Sequence, residues 1–206
     1  MQLKIIKGIT ILALVVLAGC NSPVPRLPIL GTPTMEGKDT LYPSIANFSF
    51  TDQDSNTVNN LTFANKIYVA DFMFLSCPTI CPIMTKEMYD VYQQFAKDNR
   101  VLFISHSINP ERDSIPALKA YATSMRISSN KWHFVTGNQD SILSLCENSY
   151  FSAAYPDSTS PGGFTHSGGL LLIDKDRHIR GVYNSTKAEE TQRLIMDIKT
   201  LLKEQF

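Results

Sequence analysis

The fold class this sequence predicts is α/β: one domain with a mixed central sheet flanked by helices. Three observations carry it. IYVADFMFL (67–75) and VLFISHSI (101–108) are nearly unbroken apolar runs of strand length, the pattern of strands covered on both faces. Each is followed by a segment whose apolar residues recur at three and four, as a helix packed on a sheet requires. LLLID (170–174) and HIRGVYN (178–184) flank the turn Lys175-Asp176-Arg177 and read as an antiparallel hairpin. With 206 residues, 43% of them hydrophobic, the chain has material for one well-filled core and little for a second.

Taken in order, the elements support this. Residues 1–19 join a positive start (Lys4, Lys7) to an apolar stretch from Ile9 to Ala18, too short for a membrane span of about 20 residues, and read as an export signal. Leu17-Ala18-Gly19-Cys20 resembles the bacterial lipobox, which makes Cys20 the expected lipidated first residue of the mature chain. Residues 20–43 are rich in Pro, Gly, Ser and Thr, have no helical or strand period, and read as a tether; the folded domain is expected over 44–206.

Within it, residues 45–50 alternate apolar and polar, and TDQDSN turns the chain toward Thr57 and Val58, which suggests a small N-terminal hairpin. Strand 67–75 leads through two cysteines to a helix carrying Met84, Met88, Val91, Tyr92 and Phe95 on one face, with Pro82 in its first turn. After strand 101–108 come a helix near 114–125, a strand at 132–135, a short helix near 140–146 and a loop holding Pro156, Pro161, Gly162 and Gly163. The hairpin and a last helix, 187–205, complete the domain. The order β-α-β-α-β, then hairpin, then helix is the thioredoxin-like arrangement.

Charge excludes one class of function. Lys+Arg and Asp+Glu both number 19, and no run of basic residues builds a patch for nucleic acid. The expected setting is outside the cytoplasm, in the periplasm or beyond the cytoplasmic membrane, with the domain a monomer held to a membrane by its lipid.

Chemistry is expected at Cys77 and Cys81, in FLSCPTICPIM, where a buried strand gives way to a helix. A helix N-terminus offers unpaired N–H groups and a positive dipole, which favour thiolates. The i to i+4 spacing suits either chelation of one soft metal ion or a disulfide. Three intervening residues, where the common redox motif has two, favour the metal. His166, in GGFTHSGGLLLID, is the candidate third ligand, provided the chain reverses there as the hairpin requires. Two thiolates and an imidazole suit copper, Cu(I) or Cu(II), better than structural zinc, which asks for four protein ligands. Cys146 reads as a small buried hydrophobe, Met73, Met84 and Met88 as core, Arg112 and Asp113 as a solvated turn rather than residues that orient the site loop, and His106, His133 and His178 as strand or surface residues, of which His106 alone lies near a plausible site edge.

These residues resemble the Sco/SenC family of copper-binding assembly factors for cytochrome oxidase. DFMFLSCPTICPIMTKEM, VLFISHSINPERDS, the region from Tyr121 to Gly137, and FTHSGGLLLIDKD carry the resemblance, in that order, over most of the mature domain. It implies a thioredoxin-like fold in which Cys77, Cys81 and His166 bind one copper ion, and the task of delivering copper to, or reducing the thiols of, the copper site on an oxidase subunit. Thr165 and Asn109 stand where family members often carry aspartate, so a carboxylate that would orient the ligands is missing from those positions. The alternative task is thiol-disulfide reduction, with Cys77 and Cys81 as a catalytic pair and no need of His166. Peroxide reduction on the same fold is weaker, because nothing around Cys81 resembles a peroxidase signature.

Overall fold

The computed structural model describes residues 26–206, so the expected signal at 1–19 and the lipid site at Cys20 lie outside the described residues. At its centre is a seven-stranded mixed sheet of order β11-β10-β5-β6-β7-β3-β4. Strands β5 (Ile67–Met73), β6 (Val101–Ser107) and β7 (Trp132–Thr136) are parallel and adjacent, and every residue in them is buried. That is why their sequences run apolar without alternation. The antiparallel strands complete the sheet: β10 (Gly169–Ile173) and β11 (Ile179–Asn184) beside β5, β3 (Ser49–Asp52) and β4 (Thr57–Asn59) beside β7.

Alternate residues of the strands face two cores. Ile67 and Val69 join Phe103, Trp132 and Leu172 under helices α1 (Ile80–Phe95), α2 (Ile115–Ser124) and α4 (Ala188–Gln205), which contribute Met88, Leu118 and Leu194. Tyr68, Ala70 and Phe72 face the other side, where α3 (Gln139–Asn148) supplies Ile142, Leu145 and Cys146. The structure therefore has the mixed sheet with helices on both faces. A side chain such as Leu194, taken fully out of water, contributes roughly 1.5–3 kcal/mol, so the two faces hold the sheet rigid beneath the cysteine loop.

Two segments differ from expectation. The stretch read as a featureless tether contains a hairpin, β1 (Thr34–Glu36) with β2 (Asp39–Leu41), and docks on the domain from Leu27. Arms of three residues are too short to show a period, and only Gly37, with φ +65 at the turn, marked it. The Pro- and Gly-containing loop before His166 is likewise a ribbon, β8 (Ala154–Pro156) paired with β9 (Phe164–His166).

Candidate metal centre

The site is assembled where β5 ends. Leu75 follows the last turn of sheet backbone, and its N–H is held by the carboxylate of Asp113, at 3.1 Å to the nearer oxygen. Asp113 also accepts from Ser107 Oγ at 2.6 Å and is 1% exposed. The solvated turn expected at Arg112-Asp113 holds for Arg112, which is exposed, and is corrected for Asp113: the Asn109 carbonyl accepts the backbone N–H groups of both residues, which turns Asp113 inward beneath the cysteine loop. Burial pushes the Asp113 carboxyl above its ordinary pKa, with Ser107 and the Leu75 amide pulling the other way. The missed signal was position: an acid directly before Ser114, the residue whose hydroxyl caps α2.

Helix α1 begins at Ile80 with no side-chain cap from Thr79. The Cys77 sulfur takes that place and accepts the N–H of Cys81 at 3.4 Å. Pro82 follows in the first turn, where a missing N–H costs nothing. Cys77 and Cys81 are 7% and 3% exposed and both are free thiols.

His166 arrives on the ribbon. Its Nε2 lies 3.3 Å from Cys81 Sγ and 3.9 Å from Cys77 Sγ, and the three ligand atoms are all within 4.8 Å of one another. Nδ1 faces the Ser167 carbonyl at 3.3 Å; a proton there alone leaves Nε2 with its lone pair toward the sulfurs, the tautomer a metal needs, whereas a proton on Nε2 lets the ring donate to a cysteine thiolate. Phe74 packs edge-on against the imidazole, with ring centroids 5.7 Å apart, and also touches Phe164 of the ribbon. Gly162, with φ +85, passes so close over Phe74 that an added Cβ would come within 2.7 Å of the ring, so the ribbon reaches the cysteines only with glycine there.

A carboxylate from the turn after β8 meets Thr165. Thr165 Oγ1 donates to Asp157 Oδ2 at 2.8 Å, and Asp157 also collects Ser160 Oγ, Thr159 Oγ1 and the Thr159 N–H. Those donors hold the Asp157 carboxyl well below the usual range.

The two thiols are electrostatically unlike. Burial works against ionisation of Cys77, but His166, the N–H groups of Cys81 and Thr79 and the Cys81 thiol outweigh it, and its pKa falls to about 6. Cys81 is pushed far up, by burial first and then by the neighbouring Cys77. Although His166 lies nearer Cys81, the donors converge on Cys77, the exposed end of the helix dipole, and the first thiolate belongs there. Beneath them Asp71, on β5, is 1% exposed, with neither oxygen in a well-formed hydrogen bond; the Ser105 hydroxyl beside it accepts from Trp132 and keeps its own proton to turn toward the carboxyl. Burial raises the Asp71 carboxyl to about 6, against the pull of Ser105 and His166.

Other candidates fall outside the cluster. His106 does not border the site: both its nitrogens are unpartnered among Phe48, Phe50, Phe72 and Tyr150, and burial lowers its pKa to about 3. His133 meets Asp52, and His178 meets the Pro43 carbonyl. Cys146 is fully buried against the Ser152 carbonyl and pushed up to about 12, and Met73, Met84 and Met88 are core.

The donor set fits a soft, low-coordinate ion. With metal–sulfur near 2.3 Å and metal–nitrogen near 2.0 Å, a trigonal site separates sulfur from nitrogen by roughly 3.7 Å, between the two distances seen here.

Known proteins share this fold. A SCO1/SenC family lipoprotein from Bacillus anthracis str. Ames is similar at 27% identity and TM-score 0.71, over 77% of this chain and 95% of that one. BsSco, described as a member of the Sco family of cytochrome c oxidase assembly proteins, is similar at 28% and 0.68, over 81% and 98%. Bradyrhizobium japonicum ScoI, solved with copper bound, is similar at 25% and 0.60, over 72% and 96%. The SCO1/SenC family model matches residues 37–203, most of the described chain. By that match and by the cysteine-histidine cluster it encloses, the chain belongs to the SCO1/SenC family.

Proposed function

We propose that this chain is an exported, lipid-anchored copper carrier that holds one copper ion on Cys77, Cys81 and His166 and helps to assemble the copper site of a respiratory cytochrome oxidase. The observation that carries the reading is the convergence of two thiols and one imidazole nitrogen within 4.8 Å, from two separate parts of the sequence. Copper is the cargo, received and passed on by exchange of ligands. Its acceptance asks for deprotonated sulfur, and Cys77, lowered to about 6, is ready to provide it at neutral pH. The lipobox at Cys20 and the lipoprotein similar to this chain support the anchor, and the oxidase-assembly family of BsSco supports the client.

Anaerobic titration of the full chain with Cu(I) and Cu(II), following stoichiometry and the thiolate-to-copper absorption band, tests the reading. One tightly held ion, lost on Cys77→Ser and on His166→Ala, is the expected result. Binding indifferent to His166 would instead favour thiol-disulfide reduction, for which the same observations offer a lowered nucleophile at Cys77 and a neutral partner at Cys81.

A further inference from the structure

Helix α3 ends in a turn that puts an aromatic ring in water. Ser149 and Tyr150 both donate their N–H to the Leu145 carbonyl, Ser152 donates to that of Cys146, and Phe151 between them has φ +49. A left-handed residue at a helix end is usually glycine or asparagine and is an outlier for a bulky side chain. Phe151 takes that conformation and still leaves 62% of its surface exposed, while Tyr150 beside it is buried. Four residues on, Tyr155 of β8 is 52% exposed. Both rings line one groove of about 540 Å³, together with Ala153 and with Glu147 from the last turn of α3. Backbone strain and two wetted rings at one place are unfavourable for the free chain, and point to a contact made with something else.

The groove lies against the ribbon that carries His166. Ser152, in its wall, hydrogen-bonds Ser167, the residue after the imidazole. Register sets Ala154 opposite His166 and Tyr155 opposite Thr165, so Tyr155 and Thr165 share the ribbon face turned away from the imidazole. Thr165 also lines the narrow crevice at Cys77 and His166. Groove and crevice are therefore neighbours, and a partner covering about 800 Å² of this chain would span both.

Charge on this side has one sign. From Trp132 to Asp174 the sequence holds no lysine or arginine but four acids, Asp140, Glu147, Asp157 and Asp174. Asp174 is paired with Arg180. Asp157 is satisfied by hydroxyls and an amide that bring no charge of their own. Asp140 and Glu147, two turns apart on one face of α3, make no ion pair among the described residues, and no cation lines the groove.

We propose that this groove seats a lysine or arginine side chain of the protein that exchanges copper with this chain, its alkyl stem along Phe151 and Tyr155 and its cation at Glu147. The inference deepens the copper-carrier reading and rests on it for the partner. Aromatic faces attract a cation, the carboxylate pairs with it, and a long basic side chain also covers ring surface with its stem. An aliphatic segment would cover the rings but leave Glu147 unpaired, and an acidic one would be repelled by Glu147 and Asp157.

Two measurements on the full chain in detergent micelles test this. The first is binding of a fluorescein-labelled triarginine peptide, read by anisotropy beside a triglutamate peptide. Phe151→Asn supplies a residue suited to the left-handed turn, Tyr155→Thr one suited to a strand, and neither changes the charge; Glu147→Gln removes it. We expect triarginine to bind, triglutamate not to, and each substitution to weaken binding about 10-fold or more. No binding of triarginine, or a loss confined to Glu147→Gln, overturns the groove. The second is copper transfer from the loaded chain to the metal-free copper domain of the oxidase subunit, followed by decay of the thiolate-to-copper band. Phe151→Asn and Glu147→Gln should slow transfer about 10-fold while retention against a chelator is unchanged, because neither residue belongs to the ligand cluster. Transfer at the wild-type rate in both variants overturns the docking and leaves the carrier standing. A wild-type chain that holds copper but passes none to that domain overturns the oxidase client, and the peptide titration then decides the groove alone.

Discussion

Asp113 and Leu75 are 38 residues apart in sequence, yet the carboxylate of one holds the backbone N–H of the other at 3.1 Å. Through that bond the loop after β6 fixes the loop after β5, two residues before Cys77. Asp113→Ala should lower copper affinity about 10–100-fold, the range for residues that orient ligands, and cost about 1–3 kcal/mol of stability from the orphaned amide. Asp113→Asn, which keeps an acceptor, should recover most of both. Copper titration beside urea unfolding checks this; unchanged affinity in the alanine variant would remove Asp113 from the site.

Removal of the imidazole tests the ligand set. His166→Ala should weaken copper retention by more than about 100-fold, since loss of even an orienting partner reaches that figure. Its fold should remain, because His166 sits on the β8–β9 ribbon outside the central sheet. Competition against a chelator, with circular dichroism as the control for folding, reads both.

Alkylation rates should report the inequality of the thiols. Cys77 should react as a thiolate with a midpoint near about 6, its rate falling as pH drops through that value, while Cys81 stays protonated and slow at neutral pH. Because His166 is among the groups that lower Cys77, His166→Ala should move the midpoint upward. By linkage, the depressed thiol stabilises the fold above its unfolded pKa, and that contribution fades as pH falls through about 6. Mass spectrometry of the alkylated peptides distinguishes the two sites.

Asp71 works in the opposite direction. Its acid is raised to about 6 by burial, so the native state keeps a proton that the unfolded chain releases near 4. Stability associated with Asp71 is therefore greatest below about pH 4 and is lost as pH rises to about 6, after which the penalty is constant. Asp71→Asn should add about 1–3 kcal/mol at pH 8 and little at pH 4, the upper figure following from a shift of about two units at 1.36 kcal/mol each. Urea unfolding at the two pH values decides it; equal effects at both would mean that Asp71 does not titrate as argued.

Arg180, which clamps the N-terminal segment at Leu27 and Pro28, is the remaining test. Its guanidinium is 3% exposed and satisfied by Asp174, Glu204 and two backbone carbonyls. Arg180→Ala leaves buried Asp174 and partly exposed Glu204 without a cation and should cost about 3–5 kcal/mol, read by thermal or urea unfolding. Limited proteolysis should then cut the chain near Leu27, which the intact clamp protects.

Much of the frame was legible in the sequence for a physical reason. Strands β5 and β6 lie between helices on both faces, so their composition had to be apolar throughout, and a run such as IYVADFMFL admits few other readings. Cys77 and Cys81 were legible because their spacing is local and the chain type changes between them from strand to helix. His166 was not, by spacing: 85 residues separate it from Cys81, and its candidacy rested on the chain reversal that a hairpin requires and on motif resemblance; a ribbon hidden in a proline- and glycine-containing loop brings the two together. Asp71 escaped for a related reason, and of Asp113 its place beside the site loop was legible but its burial was not. A charged letter in a sequence reads as solvated, and only the folded chain reveals the strand and turn that carry these two inward.

The ribbon has a consequence for how the ion is let go. Cys77 lies in the loop after β5 and Cys81 in the first turn of α1, whereas His166 belongs to a two-stranded sheet whose strands pair only with each other. The candidate ligands are thus divided between the sheet-to-helix loop and a separate ribbon. Were one ion held by all three, release of His166 would leave it on the two cysteines, and the packing of Phe74 against Phe164 and His166 would oppose that release. Affinity and residence time are in that way set by different parts of the molecule, and selection can lengthen one without deepening the other.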